Sequence, residues 1–240
     1  VKESFYAKSY AYPQAYLEDM GAGKSYTQWI LSWFKFRLKG DACEVGAGTG
    51  NISRHLLELR LKRLVLLEPD RRLFEALERG IKATPNICLS NSTLAEYSTI
   101  KKEQFDTFIY INVLEHIEKD EDELQLMHSL LRRGGVALIF VPALQWLFSR
   151  YDREVGHWRR YSKKELRDKI ERAGFELEDV RYFDFFGVFV WFIACRLLGF
   201  RPSAGKVGLY DRILVPVSSR LESFCRPLIG KNLLAVAVKR

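Results

Sequence analysis

From residue 41 onward, short apolar runs alternate with longer amphipathic stretches, and this alternation constrains the fold more than any other feature of the 240-residue chain. Residues 41–45 (DACEV), 63–67 (RLVLL), 87–89, 105–111 (FDTFIYI), 136–141 (VALIFV), 175–184 and 233–239 (LLAVAVK) read as seven strands. Residues 28–38, 51–59, 69–79, 120–131 and 163–173 read as helices. Asn51 or Thr49 stands ready to cap the second, Gly80 ends the third, Gly134 and Gly135 stop the fourth and Gly174 stops the fifth. Apolar strands separated by helices require right-handed βαβ crossovers, hence a parallel sheet covered on both faces. The expectation is one α/β domain over 1–240: a Rossmann-like, seven-stranded, mostly parallel sheet with an antiparallel last strand. It carries an N-terminal helical arm (1–40), a lid (143–162) and a helical insertion (185–230). Aromatic residues at 13% exclude a mainly disordered chain.

Ligands in such sheets bind beyond the carboxyl ends of the strands, where the strand order reverses. The turn after the first strand reads Glu44-Val45-Gly46-Ala47-Gly48-Thr49-Gly50. Its G-x-G-x-G spacing matches neither the dinucleotide fingerprint G-x-G-x-x-G nor the G-K-[ST] ending of a phosphate-binding loop. A carboxylate at Glu44 would repel a pyrophosphate and attract an ammonium or sulfonium. Glu68, followed by Pro69, ends the second strand, where a carboxylate accepts from ribose hydroxyls. The bland alternative is a tight turn flanked by two surface acids.

EVGAGTG and LLEPD resemble the first two motifs of the class I S-adenosylmethionine-dependent methyltransferases, and FDTFIYINVLEHIEKD with LLRRGGVALIFVPA resembles their fourth and fifth strands. The resemblance runs from about Tyr26 to Arg240. VPALQWLFSRYDREVGHWRRYSKKEL narrows it to the methyltransferase-12-like bacterial branch, whose G-H-x-R-R-Y element here is Gly156 to Tyr161. The resemblance implies S-adenosylmethionine as cofactor and S-adenosylhomocysteine as product. It places Glu44, Gly46, Gly48 and Gly50 at the methionine moiety, Glu68 at the ribose, and Ser92 and Thr93 at the adenine, with Pro69 also among the cofactor-binding residues. Many members hold the adenine amino group with an Asp near Ser92, and the stretch 90–94 (SNSTL) has none. The same placement puts Asn112 and Val113 near the transferable methyl.

Two histidines are candidates for chemistry. His116 follows the fourth strand and either reaches the substrate or bonds backbone at a helix start. His157 lies in the 143–162 stretch, too long for an ordinary βα loop, and its imidazole suits proton removal near neutral pH. Arg159, Arg160 and Tyr161 either clamp an anionic acceptor or join Asp152 in an ion-pair network that fixes the loop. Tyr6, Tyr10, Tyr12 and Tyr16 either close over the cofactor or pack on the surface. His55, His116, His128 and His157 show no H-E-x-x-H or comparable spacing, so no metal is expected. Two rival functions stay open: a non-catalytic S-adenosylmethionine-binding subunit, and a nicotinamide-dependent oxidoreductase.

Charge is unevenly spread. Residues 181–240 hold ten Lys/Arg against three Asp/Glu, while the rest of the chain is nearly balanced. Within the insertion, FFGVFVWFIAC (185–195) is too short to span a bilayer. Arginines and a lysine interspersed with apolar residues follow it. Three readings fit: helices lying in the interface of an anionic membrane, a cover over the sheet edge, or a homodimer contact. Dispersed basic residues without a recognition motif disfavour nucleic acid. Val1 to Tyr12 lacks the apolar core of a secretory signal, and Cys43, Cys88, Cys195 and Cys225 lie apart in apolar segments as buried reduced thiols. The resulting expectation is a cytoplasmic protein, peripheral to the inner face of the cell membrane, acting on a small-molecule or lipid-linked acceptor.

Overall fold

The computed structural model describes residues 23–240; the tyrosines expected to form an aromatic arm, from Tyr6 to Tyr16, lie outside them. Seven strands form one sheet: β1 (Asp41–Val45), β2 (Arg63–Leu67), β3 (Ile87–Ser90), β4 (Phe105–Ile111), β5 (Leu131–Pro142), β6 (Glu176–Phe183) and β7 (Asn232–Val238). Their order is β3-β2-β1-β4-β5-β7-β6. The first five strands in that order pair in parallel, and β7 runs antiparallel to both β5 and β6. The order reverses between β1 and β4, so their carboxyl ends open a crevice.

Successive residues of a strand point to opposite faces, and two apolar clusters result. Cys43, Val45, Val65 and Leu67 face one way, into a layer with α4 (Leu94–Ile100), α5 (Asp120–Leu130) and α7 (Lys163–Arg172). Ala42, Leu64 and Leu66 face the other, against α1 (Lys24–Phe34), α2 (Ser53–Leu56) and α3 (Arg71–Gly80). α6 (Arg150–Glu154) lies in the loop after β5, and α8 (Phe185–Trp191) and α9 (Ala204–Phe224) form the insertion. A π-helical stretch, Phe192–Leu197, continues α8.

The sequence reading shifts at several elements. α1 starts four residues early because a carboxylate from far along the chain caps it: Asp211 accepts from the Ser25 and Tyr26 amides at 3.0 and 2.7 Å. The helix expected over 51–59 shortens to α2, with no side-chain cap from Asn51 or Thr49. Gly134 and Gly135 do not stop a helix. α5 ends at Leu130, β5 starts at once with Leu131 opposite Phe105, and the glycines fall at a register shift. α4 was absent from the reading, although Thr93 and Glu96 form a capping box at its start. None of the four cysteines is bridged; Cys43 and Cys195 are buried, whereas Cys225 is exposed.

Candidate functional site

The glycine turn leaves β1 at the reversal of strand order. Gly46, Gly48 and Gly50 all take left-handed φ values of 72°, 58° and 87°, a region that favours glycine. The Gly46 and Ala47 amides donate to the Leu67 carbonyl at 2.8 and 3.0 Å, tying the turn to the end of β2. Space at the glycines differs in purpose. A Cβ on Gly46 would stand 2.6 Å from the Val113 side chain, whereas one on Gly50 would meet Leu77 of α3 at 2.9 Å. Gly50 is therefore a packing seat for α3.

Glu68 clamps the turn. Its Oε2 accepts from the Gly48 amide at 2.8 Å and its Oε1 from the Asp70 amide at 2.9 Å, and each oxygen keeps a second lone pair. Glu44 accepts from Ser53 Oγ at 2.6 Å. Both carboxyls are buried, at 4% and 3% exposure for Glu44 and Glu68. Burial pushes Glu44 up to about 8 against the lowering bond from Ser53, and pushes Glu68 up to about 7 against the two amide bonds. A positive charge entering the space beside these two reluctant acids would favour their ionised forms.

That space is a cavity of about 290 Å³. Its walls include Glu44, Gly46, Gly48, Glu68, Asn112, Val113 and His116 from the expected site. Asn112 also has a left-handed φ of 54°, with its amide donating to the Phe140 carbonyl at 2.8 Å; the bend turns Val113 and His116 toward the cavity. Gly50, Pro69, Ser92 and Thr93 are not on its walls. Ser92 Oγ sits 2.9 Å from Ser90 Oγ, and the Thr93 hydroxyl accepts from the Glu96 amide at 3.1 Å. These two hydroxyls are engaged in local structure.

The opposite wall comes from the insertion and α1, and includes Tyr26, Trp191, Phe200, Lys206, Tyr210 and Lys231. Sequence reasoning did not place these residues at the site; the aromatic and cationic run of 185–230 was the signal, read as a membrane face, a cover over the sheet edge or a dimer contact but not as a wall of the cavity. Fully buried Asp184 anchors the wall. It accepts from Tyr26 Oη at 3.1 Å and from Tyr210 Oη, and pairs with Lys231 Nζ at 3.1 Å. Lys231 also lies over the Tyr26, Tyr210 and Trp191 rings, at 4.9, 5.4 and 5.8 Å.

The insertion, and not the 143–162 loop, therefore roofs the cavity. The loop packs inward. Tyr161 is fully buried, donating to Asp120 Oδ2 at 2.7 Å. Arg160 donates to Asp152 Oδ1 at 2.9 Å through Nε and pairs with it at 2.8 Å through NH2. Arg159 pairs with Asp120 at 2.8 Å and donates to the Glu118 carbonyl at 2.7 Å. This corrects the acceptor clamp expected of Arg159, Arg160 and Tyr161: all three are committed to internal partners, and none lines the cavity. His157 does not line it either, but its ring stands 4.5 Å from that of His116, edge to face. Burial holds both imidazoles below their ordinary range, against the raising effect of Asp152 on His157. Burial that disfavours the imidazolium also weakens both rings as proton acceptors, which counts against the proton removal expected of the pair. Glu115 completes the group, with its Oε1 3.9 Å from His157 Nε2. The histidines that lack ligand spacing along the chain thus meet a carboxylate in space.

The layered sheet, its antiparallel last strand and the cavity at the β1–β4 reversal define the fold of the S-adenosylmethionine-dependent methyltransferases. Residues 43–137 match the family model described as a methyltransferase domain. A methyltransferase of this kind from Thermotoga maritima superposes with a TM-score of 0.60 at 18% identity, covering 91% of each chain. The N-methyltransferase NodS from Bradyrhizobium japonicum, in complex with S-adenosylhomocysteine, gives 0.61 at 14% identity over 98% of this chain and 96% of its own. The cyclopropane synthase MmaA2 from Mycobacterium tuberculosis gives 0.57 at 14%, covering 89% and 84%. No curated protein sequence matches the chain.

Proposed function

We propose that the protein transfers the methyl group of S-adenosylmethionine to an oxygen, nitrogen or carbon acceptor carried on a sugar- or lipid-linked intermediate at an anionic membrane surface. The observation that carries the first half is the glycine turn clamped to Glu68, with Glu44 buried beside it, at the reversal of strand order. Glu44 would face the ammonium of the cofactor, Glu68 the ribose hydroxyls, and Val113 and His116 the reacting end. When bound, the sulfonium supplies a methyl group with a good leaving group attached. The chain's own part is positioning: the rigid turn, the pinned carboxylate and the insertion roof hold two ligands in one cavity and exclude water. His116 is the side chain that would meet the acceptor at that end of the cavity, and His157 stands behind it. Lys206 on the roof wall favours an anionic acceptor, whereas Lys231 is committed to Asp184.

The membrane half rests on the surface of the insertion. Leu209, Ile213, Val217, Leu221 and Phe224 of α9 are exposed, while Asp211, Ser218 and Glu222 of the same helix are buried. The buried acids hold helix ends: Asp211 caps α1, and Glu222 accepts from the Phe185 amide at 2.8 Å at the start of α8. With the acids turned inward, the exposed face carries apolar side chains among Arg196, Arg201, Lys206, Arg212, Arg220 and Arg226. That pattern suits an anionic lipid surface. No helix among the described residues is long and apolar enough to cross a membrane.

The test is stepwise. Calorimetry with S-adenosylhomocysteine and with NAD separates the methyltransferase reading from an oxidoreductase; binding of NAD alone would overturn the proposal. Incubation with methyl-labelled S-adenosylmethionine and a bacterial lipid extract should then label a lipid-phase product. Label only in water-soluble sugars would remove the membrane half, and no label in any fraction would favour a non-catalytic subunit.

A further inference from the structure

A second site adjoins the cavity. Glu115 and His116 lie in a single 3₁₀ turn, Leu114–His116, directly after β4. His157 arrives from the loop after β5 and is fixed by backbone: the Trp158 amide donates to the Glu115 carbonyl, and the His157 amide to that of Asp152, both at 2.8 Å. One ligand atom from each of Glu115, His116 and His157 lies within 4.8 Å of the others.

The polar atoms here do not satisfy one another. Glu115 is 0% exposed, and neither of its carboxylate oxygens has a hydrogen-bond partner among the described residues. His157 Nε2 is likewise buried without one. The tautomer follows from the other side of the ring. His157 Nδ1 lies 2.9 Å from Asp152 Oδ1, and Asp152 also takes both an Arg160 contact and the Ser149 hydroxyl at 2.7 Å. A carboxylate so supplied with donors is ionised, so Nδ1 carries the proton and Nε2 presents its lone pair to Glu115. A carboxylate and a lone pair facing each other in a dry site is an arrangement that proteins avoid unless positive charge lies between them. A lone proton on Glu115 would satisfy one oxygen at most, and 3.9 Å is too long for the bond.

We infer that Glu115, His116 and His157 bind a divalent transition-metal ion of the zinc, manganese or iron(II) type. Two imidazoles and one carboxylate are the donors such ions take, whereas magnesium and calcium prefer all-oxygen sites. Asp152 stands behind His157 as the outer carboxylate that orients ligating histidines. Two ligands about 2.1 Å from a tetrahedral ion stand roughly 3.4 Å apart, so on loading the Glu115–His157 pair, 3.9 Å apart, closes by about 0.5 Å, and no pair, all lying within 4.8 Å, closes by more than about 1.4 Å. Three protein ligands leave a position open for water, and His116, which lines the cavity, joins the two sites. The inference does not depend on the cofactor reading.

The test uses the full chain stripped with chelator and titrated with Zn²⁺ and with Co²⁺ as a spectroscopic probe. The wild type should take one equivalent of metal, with the visible Co²⁺ bands of a nitrogen–oxygen site and without thiolate charge-transfer bands. It should also melt higher with Zn²⁺. Glu115→Gln and His157→Gln should each weaken binding at least tenfold and lose the thermal shift. If Glu115→Gln does not fold, His157→Gln decides. No saturable uptake by the wild type, uptake unchanged in the variants, or a thiolate spectrum would each overturn the inference. Calorimetry of the same samples with S-adenosylhomocysteine reports separately on the cofactor cavity.

Discussion

Glu68 holds two loops and faces the cavity at once, and its substitutions should separate these tasks. Glu68→Gln keeps one acceptor oxygen and loses the charge; Glu68→Ala leaves the Gly48 and Asp70 amides (2.8 and 2.9 Å from Glu68) without their acceptor. Charge-assisted hydrogen bonds are worth roughly 1.5–3 kcal/mol each. Calorimetry with S-adenosylhomocysteine should therefore show Glu68→Gln weakened about tenfold and Glu68→Ala a hundredfold or more. Equal affinity in all three proteins would remove Glu68 from the cofactor site. Gly48, at φ 58°, makes the companion case: Gly48→Val places a β-branched residue in the left-handed region, and the variant should fold yet lose S-adenosylhomocysteine binding. The pH dependence follows from burial. Glu44 and Glu68 titrate at about 8 and about 7, above the ordinary carboxylate value of 4.5. The stability this contributes is fully present below about 4.5 and is lost as pH rises through 7 and 8, because the folded chain then ionises acids it has desolvated. A ligand carrying an ammonium favours the ionised forms. Affinity for S-adenosylhomocysteine should thus rise between pH 6.5 and 8.5, with proton release on binding at neutral pH and a larger ligand-induced rise in melting temperature at pH 8 than at pH 6. An affinity flat across this range would show that neither acid meets the ammonium.

At the scale of elements, what was legible in the sequence depended on whether the signal was local. The strands lie within a residue or two of their apolar runs, apart from β5, whose early start at Leu131 is hidden behind Gly134 and Gly135. Helix boundaries set by distant groups were not legible: no periodicity announces that Asp211 will cap α1. α4 is announced by its capping box, Thr93 with Glu96, but with Thr93 assigned to the adenine its capping role went unread. The glycine turn and its acids were readable, since spacing and chain position suffice to bring them together. The roof was not, because it depends on Asp184 gathering Tyr26, Tyr210 and Lys231 from three segments. For the loop 143–162 the sequence leaves two readings open, an acceptor clamp and an ion-pair network around Asp152, and only the fold decides between them: Arg160 goes to Asp152, while Arg159 and Tyr161 go to Asp120. Asp152 is the centre of that loop, fully buried and pulled down to about 2: burial raises it, but His157, Arg160 and Ser149 outweigh that. Removing one partner of a buried ion pair costs about 3–5 kcal/mol. Asp152→Ala should therefore lower the urea-unfolding free energy by that amount, whereas Arg150→Ala, which breaks only the exposed pair with Glu154, should cost about 0.5 kcal/mol or less. Similar losses for the two variants would mean that Asp152 does not organise the loop.

For the whole molecule, the insertion joins two properties that are usually separate: it closes the cavity and presents an apolar, cationic face to the outside. Leu197, Leu198, Phe200 and the α9 stripe from Leu209 to Phe224 remain exposed, although a helix free in solution turns such residues inward. Anionic lipid would cover this face and hold the cavity mouth at the bilayer, so a lipid-linked acceptor need not leave the membrane to reach His116. Deleting the insertion would also open the cavity, because Trp191 and Tyr210 line it; the informative variants change only the outer stripe. Ile213→Ser combined with Leu221→Ser and Phe224→Ser alters exposed side chains and should leave the melting temperature within a few degrees of wild type, with S-adenosylhomocysteine affinity unchanged. Sedimentation with vesicles of phosphatidylglycerol should carry down the wild type at low salt. Binding should weaken as salt rises, since exposed charges are screened beyond about 10 Å at 0.1 M, and should persist in part because the apolar contact is not screened. The triple variant should lose that salt-resistant part, and neutral phosphatidylcholine vesicles should bind the wild type poorly. Wild-type protein that stays in the supernatant at low salt, or a triple variant that sediments as wild type does, would show that this face meets something other than a bilayer.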